Sequence, residues 1–234
     1  MAVGLFTRNI LRIIRNIRLG HAIDRSDRKA DRWKHMARLA LGQSKMTVRP
    51  IAGLLHIIVY VGFVVINIEL LEIILDGFLG THRVLAPYLG SAYDVLISVF
   101  EVFALLVIVA VTLFWLRRNA LRISRFWKPE IKGWPKKDAD YILYIELVLM
   151  FLFLTMNAAD PSANFIISSW IKPALSNLDA HQLHTIEQTA WWIHILGIYG
   201  FMNYLPYSKH LHIVLAFPNA YYASLEPKGK MHNM

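Results

Sequence analysis

Ten histidines and no cysteine define the chemistry open to this 234-residue chain. Three of the histidines, His56, His194 and His212, fall inside long apolar runs. Neutral imidazoles are good axial ligands for iron, and a pair of them holds a b-type haem without any thiolate. Without Cys, the chain itself has no iron–sulfur cluster on thiolates, no Cys zinc site and no disulfide. His194 and His212 are 18 residues apart. That is five turns, or ~27 Å, of one continuous helix, so both rings would share a face. His210 lies off that face and is the runner-up for the place of His212. Acids accompany the histidines in the same runs: Glu69 and Glu72 at i and i+3, then Glu101 and Glu146. Ionisable groups at membrane depth are costly and mark functional sites or internal hydrogen-bonded struts. Glu69, Glu72 and His194 therefore read either as a proton-accepting quinol site or as packing between helices. His21, His35, His82, His181, His184 and His232 fall in segments expected outside a membrane, with solvated roles.

The elements that must position these groups are membrane helices. The chain is 56% hydrophobic and only 18% charged, against about 25% charged in ordinary soluble domains. Spanning a bilayer takes ~20 apolar residues, and four stretches qualify: 51–75, 95–116, 141–158 and a fourth from 187 to at least 205. Beyond Pro206 the apolar pattern resumes at 211–217, so the fourth helix reads as long and kinked. The expected fold is all-α, an integral membrane four-helix bundle of about four to five spanning helices. A basic amphipathic segment at 1–49 precedes the bundle at 50–218, and a C-terminal segment at 219–234 follows it.

Charge sets the orientation. Residues 1–50 hold 12 Lys/Arg and 3 acids, which accounts for the whole net charge of +9. The 117–137 loop adds eight Lys/Arg against Glu130, whereas the 79–92 loop has only Arg83 and the 159–186 loop only Lys172. By the positive-inside rule both termini are cytoplasmic, which in a bacterium means the inner membrane. Glu69, Glu72, Glu101 and His194 then lie in the outer half. Arg8, Arg12, Arg15 and Arg18 alternate with Leu5, Ile10, Ile13, Ile14 and Ile17. This pattern suits a helix on anionic lipid, or one docked to an acidic partner. The localised charge gives no reason to expect nucleic acid.

These residues resemble two related groups. Leu55-His56-Ile57 and the His194/His212 spacing resemble the nitrate reductase gamma-subunit type of membrane cytochrome b. The stretches 68–77, Phe114-Trp115-Leu116-Arg117-Arg118-Asn119 and 209–219 are similar to the membrane part of bacterial heterodisulfide-reductase-related (Fe–S)-binding proteins. The resemblance covers most of the chain from about residue 50.

It implies the quinol-oxidising electron-transfer subunit of an oxidoreductase complex, a cytochrome b linked to an iron–sulfur subunit or domain on the cytoplasmic side. Carried over, His56 and His212 hold the iron of a haem b nearer the cytoplasm, and His194 holds an outer one. The position for the outer partner is Ile66, beside Asn67, so one haem b is expected and two are possible. His194 would then serve menaquinol or another quinone, with Glu69 and Glu72 taking protons and Trp191 and Trp192 stacking on the ring. The Cys-rich part of the related proteins belongs either to a separate subunit or to a longer chain. Two other classes compete. One is a haem-free membrane anchor of a respiratory complex. The other is an ion transporter using Glu69, Glu72, Glu101 and Glu146, weakened by the short length and lack of repeats.

Overall fold

The computed structural model describes residues 1–226, and within them all regular structure is helical. The α-helices are α1 (Ala2–Ile17), α2 (Lys29–Met36), α3 (Pro50–Leu79), α4 (Ala86–Leu89), α5 (Ser91–Trp115), α6 (Trp134–Ala159), α7 (Ser168–Ile171), α8 (Ala180–Tyr204) and α9 (His212–Tyr221). Contacts divide the chain into two units, residues 54–201 and residues 1–53 with 202 onward. The sequence expectation places the boundaries at 49 and 218.

The 54–201 unit carries the apolar helices. Among the described residues, three helical stretches are long and apolar enough to cross a membrane: Pro50–Leu79, Ser91–Ala120 and Trp134–Ala159. The fourth expected span falls on the helix α8, about 37 Å long at 1.5 Å per residue. Its first turns carry His181, Gln182, His184, Glu187 and Gln188, and α8 is not among the stretches apolar enough to cross. Large apolar side chains stand exposed along α3 (Leu54, Phe63, Ile68, Leu71, Leu75), which hydrocarbon tolerates and water does not.

The core of this unit joins Ile66 and Ile73 of α3, Ile97, Phe100 and Ala104 of α5, Phe153 and Leu154 of α6, and Ala190 and Ile195 of α8. Two glycines permit close approach. A Cβ at Gly62 would lie 2.6 Å from Val107 Cγ2, and one at Gly197 would lie 2.9 Å from Leu149 Cδ2. Small residues at such points let membrane helices pack backbone to side chain.

The basic 117–137 loop is pinned rather than free. Arg118 pairs with Asp140 (3.0 Å) and donates to Lys136 O, while the Trp127 indole donates to Arg118 O. Lys136 itself bonds Asn119 Oδ1 (3.0 Å) and Asp140 Oδ2 (3.1 Å).

In the other unit, α2 packs on α9. Arg32, 1% exposed, donates to Tyr221 O (3.3 Å) and Ala223 O (3.0 Å) as well as to Asp27. A cation here satisfies carbonyls left open at the C-terminus of α9. Asp27 is held below the usual carboxylate range, first by its hydrogen bond from Arg32. The Asn9 side chain accepts from the Tyr207 hydroxyl (3.1 Å), and no residue of α1 is buried.

The long kinked fourth helix is corrected by the structure. Pro206 lies in a 3₁₀ turn after Tyr204, Ser208 is extended (φ −110°, ψ 157°), and its Oγ accepts from His210 N–H to start a new turn. Pro removes a helical N–H and the Ser cap competes for the backbone, so the helix stops and restarts at His212. The five-turn phase between His194 and His212 therefore does not apply.

Candidate functional site

Inside the 54–201 unit, α3, α5, α6 and α8 enclose an apolar cavity of about 110 Å³. Its polar lining is Asn67, Glu69, Glu146 and His194; the rest is aliphatic or aromatic, including Ile66, Leu149 and Phe153. Phe63 also lines it and is exposed on the outer surface of the bundle, so the cavity reaches the apolar exterior. An empty apolar cavity of roughly 150 Å³ admits benzene. The present space is thus somewhat below the size of one aromatic ring, and a porphyrin would require far more rearrangement than a quinone ring.

His194 is 4% exposed, and its Nδ1 lies 3.0 Å from Leu149 O. A carbonyl only accepts, so Nδ1 carries the proton and Nε2 keeps its lone pair. Glu69, also 4% exposed, has an Oε2 with no hydrogen-bond partner. Buried polar atoms in native proteins are nearly always satisfied by protein, water or ligand. An orphaned carboxylate oxygen beside a cavity marks a place for a hydroxyl donor.

The other acids named from the sequence behave differently. Glu72 lies off the cavity: Oε1 accepts from Leu85 N–H (3.0 Å) and Oε2 from the Tyr93 hydroxyl (2.9 Å). Glu101, fully buried, accepts from Asn157 Nδ2 (3.1 Å), Ile167 N–H (2.7 Å) and Ser168 N–H (3.0 Å). Both carboxylates fasten a connecting segment to the bundle. Glu101→Ala orphans two backbone donors and an amide, at about 1–3 kcal/mol for each group. A clearly lowered Tm of the detergent-solubilised protein is expected, and an unchanged Tm would remove the strut role.

Arg83 and Asp160, both missed in the sequence reading, organise the same end of the unit. Arg83 bonds Asp160 Oδ2 (2.8 and 2.9 Å), Asn157 Oδ1 and Tyr93 Oη (3.3 Å each), and lies 4.9 Å from the Phe165 ring centre. Burial works to raise the Asp160 pKa, yet hydrogen bonds from His82 and Ser162 and the charge of Arg83 hold it well below the carboxylate range. His82 is raised, chiefly by its bond to Asp160. A lone Arg in a loop poor in charge is the available signal, and the positive-inside rule uses it for topology alone.

The remaining predicted residues are placed as follows. His56 is half-buried on α3 in the 54–201 unit, and His212 opens α9 in the other unit with Nδ1 2.9 Å from Lys209 O. The His210 ring lies 5.5 Å from that of His212. Trp191 packs beside Gly77 and edge-on to Trp192, and neither tryptophan lines the cavity. His232 lies outside the described residues.

No protein-family model matches the chain, and no solved structure shows significant similarity to it. The chain is 26% identical over 244 residues to a probable iron-sulfur-binding oxidoreductase, FadF, of Bacillus subtilis strain 168. The alignment takes in all of this chain and 33% of that protein, so the chain spans a third of the length of the relative it matches. The fold is thus a helical bundle of membrane type, similar in sequence to part of an iron–sulfur oxidoreductase.

Proposed function

We propose that the chain is a cytochrome b-type electron-transfer subunit that oxidises a membrane quinol and delivers electrons to an iron–sulfur subunit or domain on the cytoplasmic side of the bacterial inner membrane. Both termini lie on that side when α8 serves as the fourth crossing. The observation that carries the reading is the cavity, where an imidazole and an orphaned carboxylate oxygen meet in an apolar membrane-type bundle. Similarity to an iron-sulfur-binding oxidoreductase supports the electron-transfer part.

Oxidation of one quinol to quinone releases two electrons and two protons. Glu69 takes one hydroxyl proton on its carboxylate, and His194 takes the other on Nε2. The imidazolium so formed still donates from Nδ1 to Leu149 O, which holds the ring in place through the step. Glu72 acts here by positioning, since it fixes the 85–93 segment rather than facing the cavity.

Imidazole is the donor type that a b-type haem takes. His212, like His194, presents Nδ1 to a backbone carbonyl, which fixes the tautomer of the ring. By the resemblance, His56 and His212 would hold the haem, which would supply reversible one-electron transfer. On the cytoplasmic face, Lys132 and Lys137 stand exposed for an acidic partner, whereas Lys136 is spent on Asn119 and Asp140. The arginines of α1, with Leu11, Ile14 and Ile17 exposed between them, are assigned to anionic lipid.

A pyridine haemochrome assay on the purified full chain tests this reading. One haem b per chain, reduced on addition of a quinol analogue, is the expected result. Protein without haem would leave the haem-free anchor as the function.

A further inference from the structure

A positive charge at the end of α5 is left without a counterion. Three arginines with mostly buried side chains each meet a carboxylate: Arg32 with Asp27 (2.6 Å), Arg83 with Asp160 (2.8 Å) and Arg118 with Asp140 (3.0 Å). Arg117 departs from that pattern. Its half-buried side chain has no carboxylate partner among the described residues, and its Nη1 is buried without a hydrogen bond. A guanidinium keeps its charge at any pH a folded protein meets, and a buried charged donor without an acceptor is costly. We propose that Arg117 binds the phosphate of an anionic phospholipid, in the leaflet on the side of the basic 117–137 loop.

Three features carry the assignment. The first is depth. The apolar helical stretch Ser91–Ala120 has 30 residues, or ~45 Å at 1.5 Å per residue. A hydrocarbon core is about 30 Å thick, so the last turn, Leu116–Ala120, extends into the headgroup layer with Arg117 in it. Two aromatic residues beside it suit that level. The Trp115 indole donates to the Tyr144 hydroxyl (2.9 Å), and Trp and Tyr are enriched where hydrocarbon meets headgroups.

The second feature is direction. Phe103, Ala110 and Arg117 are seven residues apart, a spacing that drifts only ~20° per step around a helix. On that side of α5, Phe103 lies 3.8 Å from the place a Cβ would take on Gly62 of α3, and Ala110 is fully buried. Arg117 therefore continues the side of α5 that turns toward α3, which shelters part of the guanidinium from water. The last turn is also wider than an α-helical one, with Leu121 N–H donating to Leu116 O (2.9 Å) across five residues. Such turns are frequent at functional sites.

The third feature is charge. Asp140 already holds Arg118, Lys136 and Asn119. Arg122 and Arg125 lie over the rings of Trp127 (5.4 Å) and Phe126 (4.6 Å) and add positive potential rather than a counterion. An anion from outside the chain completes Arg117. Phosphate suits the position, because its oxygens accept from two prongs of a guanidinium at once. Basic pockets at the cytoplasmic ends of membrane helices hold anionic headgroups in this way. The site holds one lipid, distinct from the extended lipid contact assigned to the arginines of α1.

The test uses the full chain, stripped of lipid in detergent and titrated with phosphatidylglycerol or phosphatidylcholine. Native mass spectrometry should show one retained phosphatidylglycerol per chain. Tm should rise with it, since a ligand bound only to the folded state stabilises that state. Phosphatidylcholine, whose choline offsets its phosphate, should raise Tm less. Arg117→Gln should weaken the retained lipid at least tenfold and abolish the Tm rise, with no fall of Tm in lipid-free detergent. Arg117→Lys keeps the charge without the fork and should retain the lipid at reduced affinity. A variant with Arg8, Arg12, Arg15 and Arg18 all changed to Gln should still hold the one lipid. Wild-type retention in Arg117→Gln would overturn the proposal, and so would a lower Tm of that variant without lipid, which marks a strut. Loss of haem from Arg117→Gln with the lipid retained would also overturn it, by giving the guanidinium to a haem carboxylate. The titration needs no haem or quinol, so its failure leaves the electron-transfer reading intact.

Discussion

Replacing His212 with alanine should abolish the low-spin haem spectrum and bring haem per chain close to zero, and His56→Ala should do the same. A bis-histidine iron held by one remaining ligand loses its low-spin state, and a b-type haem has no covalent attachment to retain it. His212 is the stronger test because its ring is already oriented: Nδ1 faces Lys209 O at 2.9 Å, at the first residue of α9. His210 gives the matched control. Its ring lies 5.5 Å from that of His212, but its backbone N–H serves the Ser208 cap, and His210→Ala should keep the haem. A full haem complement in His212→Ala would remove the axial assignment. Loss of haem in His210→Ala alone would move the ligand by two residues.

What the sequence made legible follows from the strength of each signal. Three of the apolar runs, at 51–75, 95–116 and 141–158, are long and uniform, and each became a helix with boundaries shifted by a turn or two. The fourth run was diluted by polar residues, and its end depended on local competition. Pro206 and Ser208 tipped the chain out of the helix, which no count of hydrophobic residues reveals. Burial of the acids was equally legible, but their partners were not. Glu72 and Glu101 meet backbone N–H groups of Leu85, Ile167 and Ser168, distant in sequence and anonymous by residue type. Of these three acids only Glu69 lines the cavity, and side-chain direction on α3 separates it from Glu72. Ile66, where a second haem ligand would have stood, lines that same cavity.

Glu69→Gln should slow quinol oxidation by about 10²–10⁴-fold, the usual contribution of a positioned general base. The haem spectrum should be unchanged. Glutamine keeps the shape and the hydrogen-bonding oxygen of the carboxyl group, yet it cannot take the proton that must leave the quinol hydroxyl. The substitution also removes an orphaned carboxylate oxygen from an apolar cavity, so the protein should be no less stable. That combination, slower turnover without lower Tm, separates a proton acceptor from a strut. Glu72→Gln gives the opposite pattern, since its two oxygens hold Leu85 N–H and the Tyr93 hydroxyl: a lower Tm, with rate following stability. His194→Ala completes the comparison. It should retain the His56/His212 haem and lose reduction by quinol analogues, because Nε2 is the second proton acceptor. Loss of one of two haems in that variant would instead make His194 an axial ligand. An unchanged rate in Glu69→Gln and also in the Glu69→Gln/Glu146→Gln double variant would move quinol oxidation away from this cavity, since these are its two acids.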